Sequence, residues 1–230
     1  MYCAVGSFMM NIIKVNNSCE IHTIDDLKVY YEQIKPQIKE RLADFDKISR
    51  EGSKFDLFRE LVFCILTANA SAKMGLKSIN ALDSIIFDGT AKDIERRLRG
   101  IYRYPTSRAN YIIRTRDFLQ SHCDLDLQII FRQYEDQFQL REFLAKNIVG
   151  IAFKECSHFL RNVGYKGFAI LDKHVISMFN LIGCAVRKPK NKREYRELEL
   201  KMIAFAKRNQ LDIDDLDLVF WSYRTGEIIK

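Results

Sequence analysis

Arg141-Glu142-Phe143-Leu144-Ala145-Lys146-Asn147-Ile148-Val149-Gly150-Ile151-Ala152-Phe153-Lys154-Glu155-Cys156-Ser157-His158-Phe159-Leu160-Arg161-Asn162-Val163 is the stretch on which the fold depends. Residues 141–147 predict a short helix, and Ile148–Ala152 a tight turn about Gly150. Phe153–Val163 predicts a second helix with Phe153, Cys156, Phe159, Leu160 and Val163 on one face. Gly150 permits the turn and lets the main chain approach a ligand closely. The start of the second helix offers unpaired N–H groups and the positive end of its dipole, which favour an anion such as a phosphate. Gly164-Tyr165-Lys166-Gly167 ends that helix.

Outward from this hairpin the chain reads as helix after helix. Ile24, Leu27, Tyr30, Tyr31, Ile34, Ile38, Leu42 and Phe45 recur at helical steps over 24–48, where Pro36 is expected to kink or interrupt the helix. Glu51-Gly52-Ser53 is a break. Phe55–Ala70 is apolar nearly all round, the mark of a central buried helix, and runs out into the polar segment Asn69-Ala70-Ser71. Further helices are expected over 72–82, 91–99 and 107–120, with a loop at 102–106 because Pro105 pushes Tyr104 towards extended geometry. Residues 122–140 read as helical in part. Asp172 has the character of an N-cap for a helix over 173–181. The five basic residues and one proline of Arg187–Arg193 read as an exposed loop, followed by helices over 194–208 and 214–223 with Gly226 as the stop.

With three prolines and ten glycines in 230 residues, the expected fold is all-α. Two helical subdomains are expected to flank a cleft. One spans about 50–125, and the other combines 24–49 with 126–230 and carries the hairpin. Residues 1–23 form an N-terminal extension with no assigned role. No internal repeat or low-complexity tract is present.

The apolar fraction of 47%, with 16 Phe and 10 Tyr, excludes a disordered chain. The net charge of +7 is unevenly placed: residues 146–208 hold fourteen Lys/Arg against five Asp/Glu, and residues 91–120 hold eight against three. Concentrated positive charge points to a polyanion, nucleic acid first, although solvated helix faces have the same composition. Six cysteines at 3, 19, 64, 123, 156 and 184 show no metal-ligand pairing and read as reduced core residues of an intracellular protein. The run Tyr2–Met10 is too short for a membrane span and lacks the basic start of a signal peptide; Met9 or Met10 serves equally as a start codon.

Lys154 falls in the first turn of the second hairpin helix. A helix N-terminus disfavours positive charge on an amine placed there, and a neutral lysine is a nucleophile able to form a Schiff base. Lys154, His158 and Arg161 also share a stripe at i, i+4 and i+7, so a solvated basic face that only binds phosphate is the alternative. Asp172 follows Lys154 by 18 positions, and a capping carboxylate is rigidly held where it can stabilise positive charge or move a proton.

Phe153-Lys154-Glu155-Cys156-Ser157-His158-Phe159-Leu160-Arg161-Asn162-Val163-Gly164-Tyr165, followed by Ile170-Leu171-Asp172-Lys173-His174, is similar to the archaeal-type 8-oxoguanine DNA glycosylase/AP lyase family, a branch of the helix-hairpin-helix glycosylases. Leu61–Asn69 and the Trp221…Thr225-Gly226…Lys230 segment match the same family, and the resemblance covers roughly residues 25–230. It implies that Lys154 attacks C1′ of a flipped nucleotide with help from Asp172, that the base leaves, and that β-elimination nicks the strand. It assigns Tyr104 and Trp221 to the walls of the base pocket and Lys230, with a terminal carboxylate, to the polar edge of the base. Asn69 is assigned to the gap left by flipping, and Arg103, Gly150, Ala152 and His174 to contacts with DNA. Ala152 stands where the family usually has a second hairpin glycine. The implied partner is double-stranded DNA containing oxidised guanine, bound by a monomer. The lone Cys184 of the C-terminal region implies no iron–sulfur cluster, and no cofactor is expected. Backbone carbonyls of 148–153 are a candidate seat for a monovalent cation.

Overall fold

The computed structural model describes residues 12–16 and 19–230. The run Tyr2–Met10, Cys3 and the alternative starts Met9 and Met10 lie outside the described residues. Among those described, the chain forms eleven helices and one two-stranded ribbon. The main-chain contacts divide it into two units, 48–163 on one side and 12–47 with 164–230 on the other. The N-terminal helix up to Lys47 therefore groups with the C-terminal segment. The boundary expected at 125/126 falls instead at 163/164, and the hairpin belongs with 48–125.

The reason for that shift lies in α2 (Lys54–Thr67). Ser53 and Asp56 cap it reciprocally: the Asp56 N–H donates to Ser53 Oγ at 3.2 Å, and the Ser53 N–H to Asp56 Oδ2 at 2.9 Å. Every residue from Leu57 to Leu66 is buried, so α2 needs neighbours on all sides. It finds them in α3 (Ala72–Leu82), α5 (Pro105–Cys123), α6 (Leu127–Phe131) and α8 (Phe153–Asn162). A buried hydrogen bond from Asn162 Nδ2 to Glu60 Oε1, 2.6 Å, locks α8 to α2. α4 (Ala91–Leu98) packs on α3 and α5, and α7 (Gln137–Asn147) on α8.

α1 (Ile24–Glu51), which belongs to the second unit as far as Lys47, runs unbroken through Pro36. The interruption expected there does not occur, because Pro36 lies on the exposed face and a helix tolerates a carbonyl released towards water. α1 is tied to α11 (Ile213–Thr225) by a hydrogen bond between Tyr30 Oη and Ser222 Oγ at 3.1 Å and by Lys39 Nζ on Asp215 Oδ1 at 2.8 Å. Phe179 of α9 (Lys173–Leu181) stands edge-on to Phe205 of α10 (Lys192–Arg208) and to Phe220, with ring centroids 5.2 and 5.4 Å away. Gly226, at φ +73°, stops α11. The ribbon pairs β1 (Ile13–Lys14) antiparallel with β2 (Glu227–Ile228).

Among the helix starts that differ from expectation, two have a clear local cause. α5 begins at Pro105, two residues early, since a proline in the first helical turn lacks only an N–H that would be unpaired anyway. α10 begins at Lys192, inside the expected basic loop, because the Asn191 side chain accepts from the Glu194 N–H at 3.0 Å and caps it.

Candidate active site

The first unit holds Asn69, Arg103, Tyr104, Gly150, Ala152 and Lys154; the second holds Asp172, His174, Trp221 and Lys230.

The hairpin of the first unit is built as its sequence suggests. Gly150 has φ +87°, a conformation that strains any residue with a Cβ. Ile148 and Ile151 are buried beneath the turn, whereas Ala152 is exposed. Ala152 N-caps α8 without a side-chain oxygen, and Glu155 supplies one: the Ala152 N–H donates to Glu155 Oε2 at 3.2 Å. The other carboxylate oxygen of Glu155 lies 2.9 Å from Lys154 Nζ. The Lys154 side chain is 27% exposed, so its amine is reachable from solvent at the mouth of the helix.

The stripe through Lys154 is not a solvated basic face. His158 is 7% exposed and Arg161 2%, and the His158 ring lies edge-on to Phe63 at 5.9 Å. α8 is covered by α2 and by α7, so only its first turn presents a cation outward. That singles out Lys154.

Asn69 is exposed and left-handed, at φ +61°. The turn that carries it is held from behind. The Ala68 carbonyl accepts hydrogen bonds from Arg108 Nη2 and from Tyr102 Oη, the latter at 3.0 Å, and Arg108 Nε donates to Tyr102 Oη at 3.2 Å. Arg108 is 6% exposed and also lies over the rings of Tyr102 and Tyr111, each 5.5 Å from its centroid. Arg103 and Tyr104 follow Tyr102 directly. Both are exposed, Tyr104 by 49%, and the Arg103 guanidinium sits 5.1 Å from the Tyr104 centroid. The Tyr104 ring is thus a large aromatic surface about half open to solvent, with a cation at its face.

In the second unit Asp172 caps α9 as its sequence predicts. Its Oδ1 accepts from the N–H groups of His174 and Val175, both at 2.8 Å. This fixes the carboxylate at the helix mouth. Burial holds the His174 imidazole below its ordinary range, against the opposing pull of the Asp172 carboxylate. His174 lies edge-on to Trp221, centroids 5.9 Å apart and planes at 76°, so Asp172, His174 and Trp221 form one cluster. Trp221 is partly exposed. Lys230 is 6% exposed, and Ile228 and Ile229 before it are buried.

Sequence reading passed over four contributors. Glu155 carried a signal, being the N3 glutamate of a capping box whose cap residue is Ala152. Arg108, Tyr111 and β1 carried none, because their partners are remote in sequence. Among the described residues no group of His, Cys, Asp and Glu is placed to hold a metal ion, and no helix is long and apolar enough to cross a membrane.

The family described as 8-oxoguanine DNA glycosylase matches residues 38–211. The 8-oxoguanine DNA glycosylase/AP lyase of Korarchaeum cryptofilum is 34% identical over 90% of this chain and 96% of its own length. The crystal structure of the 8-oxoguanine DNA glycosylase of Thermotoga maritima superposes with a TM-score of 0.80 at 34% identity, covering 90% of this chain and 97% of that one. The Methanocaldococcus jannaschii 8-oxoguanine glycosylase/lyase, crystallised with a 15mer DNA containing 8-oxoguanine, gives a TM-score of 0.78 at 32% identity, over 89% of this chain and 99% of that one.

Proposed function

Since this chain belongs to the 8-oxoguanine DNA glycosylase family, we propose that it removes 8-oxoguanine from duplex DNA and then cuts the strand at the abasic site. One observation carries the assignment of the nucleophile. Of the three basic residues on the α8 stripe, only Lys154 lies in the outward first turn, next to a left-handed Gly150 hairpin that suits a DNA phosphate.

The chemistry follows from an amine at C1′. Lys154 Nζ forms a bond to C1′ as the N-glycosidic bond breaks, and the base departs with a proton. The sugar ring opens to an imine, a C2′ proton is lost, and the 3′ C–O bond breaks by β-elimination. Asp172, held rigidly by two N–H groups, assists by stabilising positive charge on the sugar or moving a proton. Tyr104 and Trp221 each offer a ring face to the flipped base, worth roughly 1–3 kcal/mol per stacked base, and Lys230 serves its polar edge. Gly150 and Ala152 set the hairpin backbone against a phosphate, Arg103 and His174 contact the DNA, and Asn69 fills the gap left by the base. This route draws on no cofactor. The segment 148–153 has main-chain oxygens and no acidic side chain, a neutral donor set that suits a monovalent cation between hairpin and phosphate. Such an enzyme acts inside the cell, where its DNA is.

The test is borohydride trapping of untagged protein on duplex DNA carrying one 8-oxoguanine, beside Lys154→Gln and an undamaged duplex. A covalent adduct that needs both the lesion and Lys154 is the expected result. Adducts only on a different oxidised base would replace the substrate. DNA binding with no adduct on any lesion would leave a non-catalytic DNA-binding module.

A further inference from the structure

Residues 227–230 follow a helix stop. Gly226, left-handed at φ +73°, ends α11, and Lys230 lies four residues beyond it with no helix to hold it. Chain segments in that situation fray unless something ties them down. Here β1 does so. Ile13 pairs with Ile228 and Lys14 with Glu227, and the Val15 N–H donates to the Gly226 carbonyl at 3.0 Å. Further along the same segment the Ile21 N–H donates to Tyr223 Oη at 3.1 Å, so the N-terminal stretch is fixed to both sides of the Gly226 stop. Thr225 Oγ1 adds a local bond to the Glu227 carbonyl at 3.2 Å.

A two-residue ribbon adds little to global stability, because isolated two-stranded pairings are marginal and each main-chain hydrogen bond is largely offset by the water bonds it replaces. Its geometric effect is larger, because it sets where the buried run Ile228-Ile229-Lys230 lies. We propose that Ile13-Lys14-Val15 is a positioning strap for the base-recognition tail, holding Lys230 in register through the β1–β2 pairing and the Val15–Gly226 hydrogen bond. The inference rests on the reading of Lys230 as a base-edge residue. It gives the N-terminal extension a role in telling 8-oxoguanine from guanine, and none in strand cleavage by Lys154.

The test separates those two steps. Val15→Pro removes the N–H that meets Gly226 while keeping an extended main chain; Val15→Ala keeps the N–H and is the control. Excision of 8-oxoguanine in single-turnover kinetics should fall at least about tenfold in Val15→Pro, as expected when a contacting group is misplaced. Preference over guanine should fall with it. Cleavage of a preformed abasic site, which needs no base recognition, should stay within about twofold. Val15→Ala should match wild type in both assays. A chain lacking residues 1–16 is read in the same way. Parallel loss of excision and cleavage, outright unfolding of both altered chains, or unchanged excision would each overturn the strap. Wild-type protein inactive on 8-oxoguanine would instead overturn the functional reading, and the strap with it.

Discussion

Gly150 lies against Tyr111: a Cβ added to Gly150 would fall 2.4 Å from Tyr111 Cδ2. The hairpin turn is thus seated on α5, and its shape depends on two requirements that glycine alone meets, a φ of +87° and the absence of a side chain. Gly150→Ala should cost about 1–2 kcal/mol for the backbone conformation and about 1–3 kcal/mol for the overlap. Tyr111→Ala should relieve the second part and leave the first. A double-mutant cycle from urea unfolding checks this, with a coupling of more than about 0.5 kcal/mol expected.

Arg108 holds the Asn69 turn from behind through the Ala68 carbonyl. Arg108→Met keeps much of the volume and removes a buried charged hydrogen bond, which costs about 1.5–3 kcal/mol. For a chain of this length that lowers the unfolding midpoint by roughly 3–12 °C. DNA binding should weaken beyond what the stability loss explains, because Asn69 loses the support of its left-handed turn. Equal affinity for lesion duplex, measured well below the midpoint, would show that the turn holds itself.

Glu155 has two tasks that a substitution can separate. One oxygen caps Ala152, and the other pairs with Lys154. Glu155→Gln keeps an oxygen for the cap and removes the charge partner of the amine. Partly exposed pairs contribute about 0.2–1 kcal/mol, so imine trapping at neutral pH should speed up by as much as about fivefold. Fold stability should change by less than about 1 kcal/mol. A fall in trapping rate would mean that Glu155 orients the amine rather than restraining it.

His174 predicts a pH effect with a definite sign. Burial lowers its folded-state value; Asp172 opposes this, while Lys173 and Arg224 add to it. The unfolded chain, titrating near 6.5, therefore takes up the proton first as pH falls. The stability that a neutral His174 contributes is fully present above about pH 6.5 and is lost as pH drops from there towards the folded value. His174→Gln removes this term. Unfolding free energies measured between pH 8 and pH 5 should fall more steeply for wild type than for His174→Gln. Parallel curves would show that His174 has the same protonation behaviour folded and unfolded.

The sequence by itself determined the local parts of this protein. Asp172 capping a helix over 173–181, the helix over 72–82, the Gly150 turn and the Gly226 stop were all legible. Caps and stops are made by atoms within about four residues of one another, and periodicity marks which residues share a face. Tertiary structure decided what covers each face. Lys154, His158 and Arg161 shared a stripe in the sequence, but α2 and α7 cover α8, burying the last two and leaving the lysine at the open end. Pro36 stayed within one helix because its side of α1 faces water. The Arg108 bond to Ala68, the Tyr111 seat under Gly150, and the ribbon joining Ile13 to Ile228 each unite segments far apart in the chain. Such contacts leave no local trace in the sequence, because a buried polar group or an unpaired strand is satisfied by whatever the fold brings beside it.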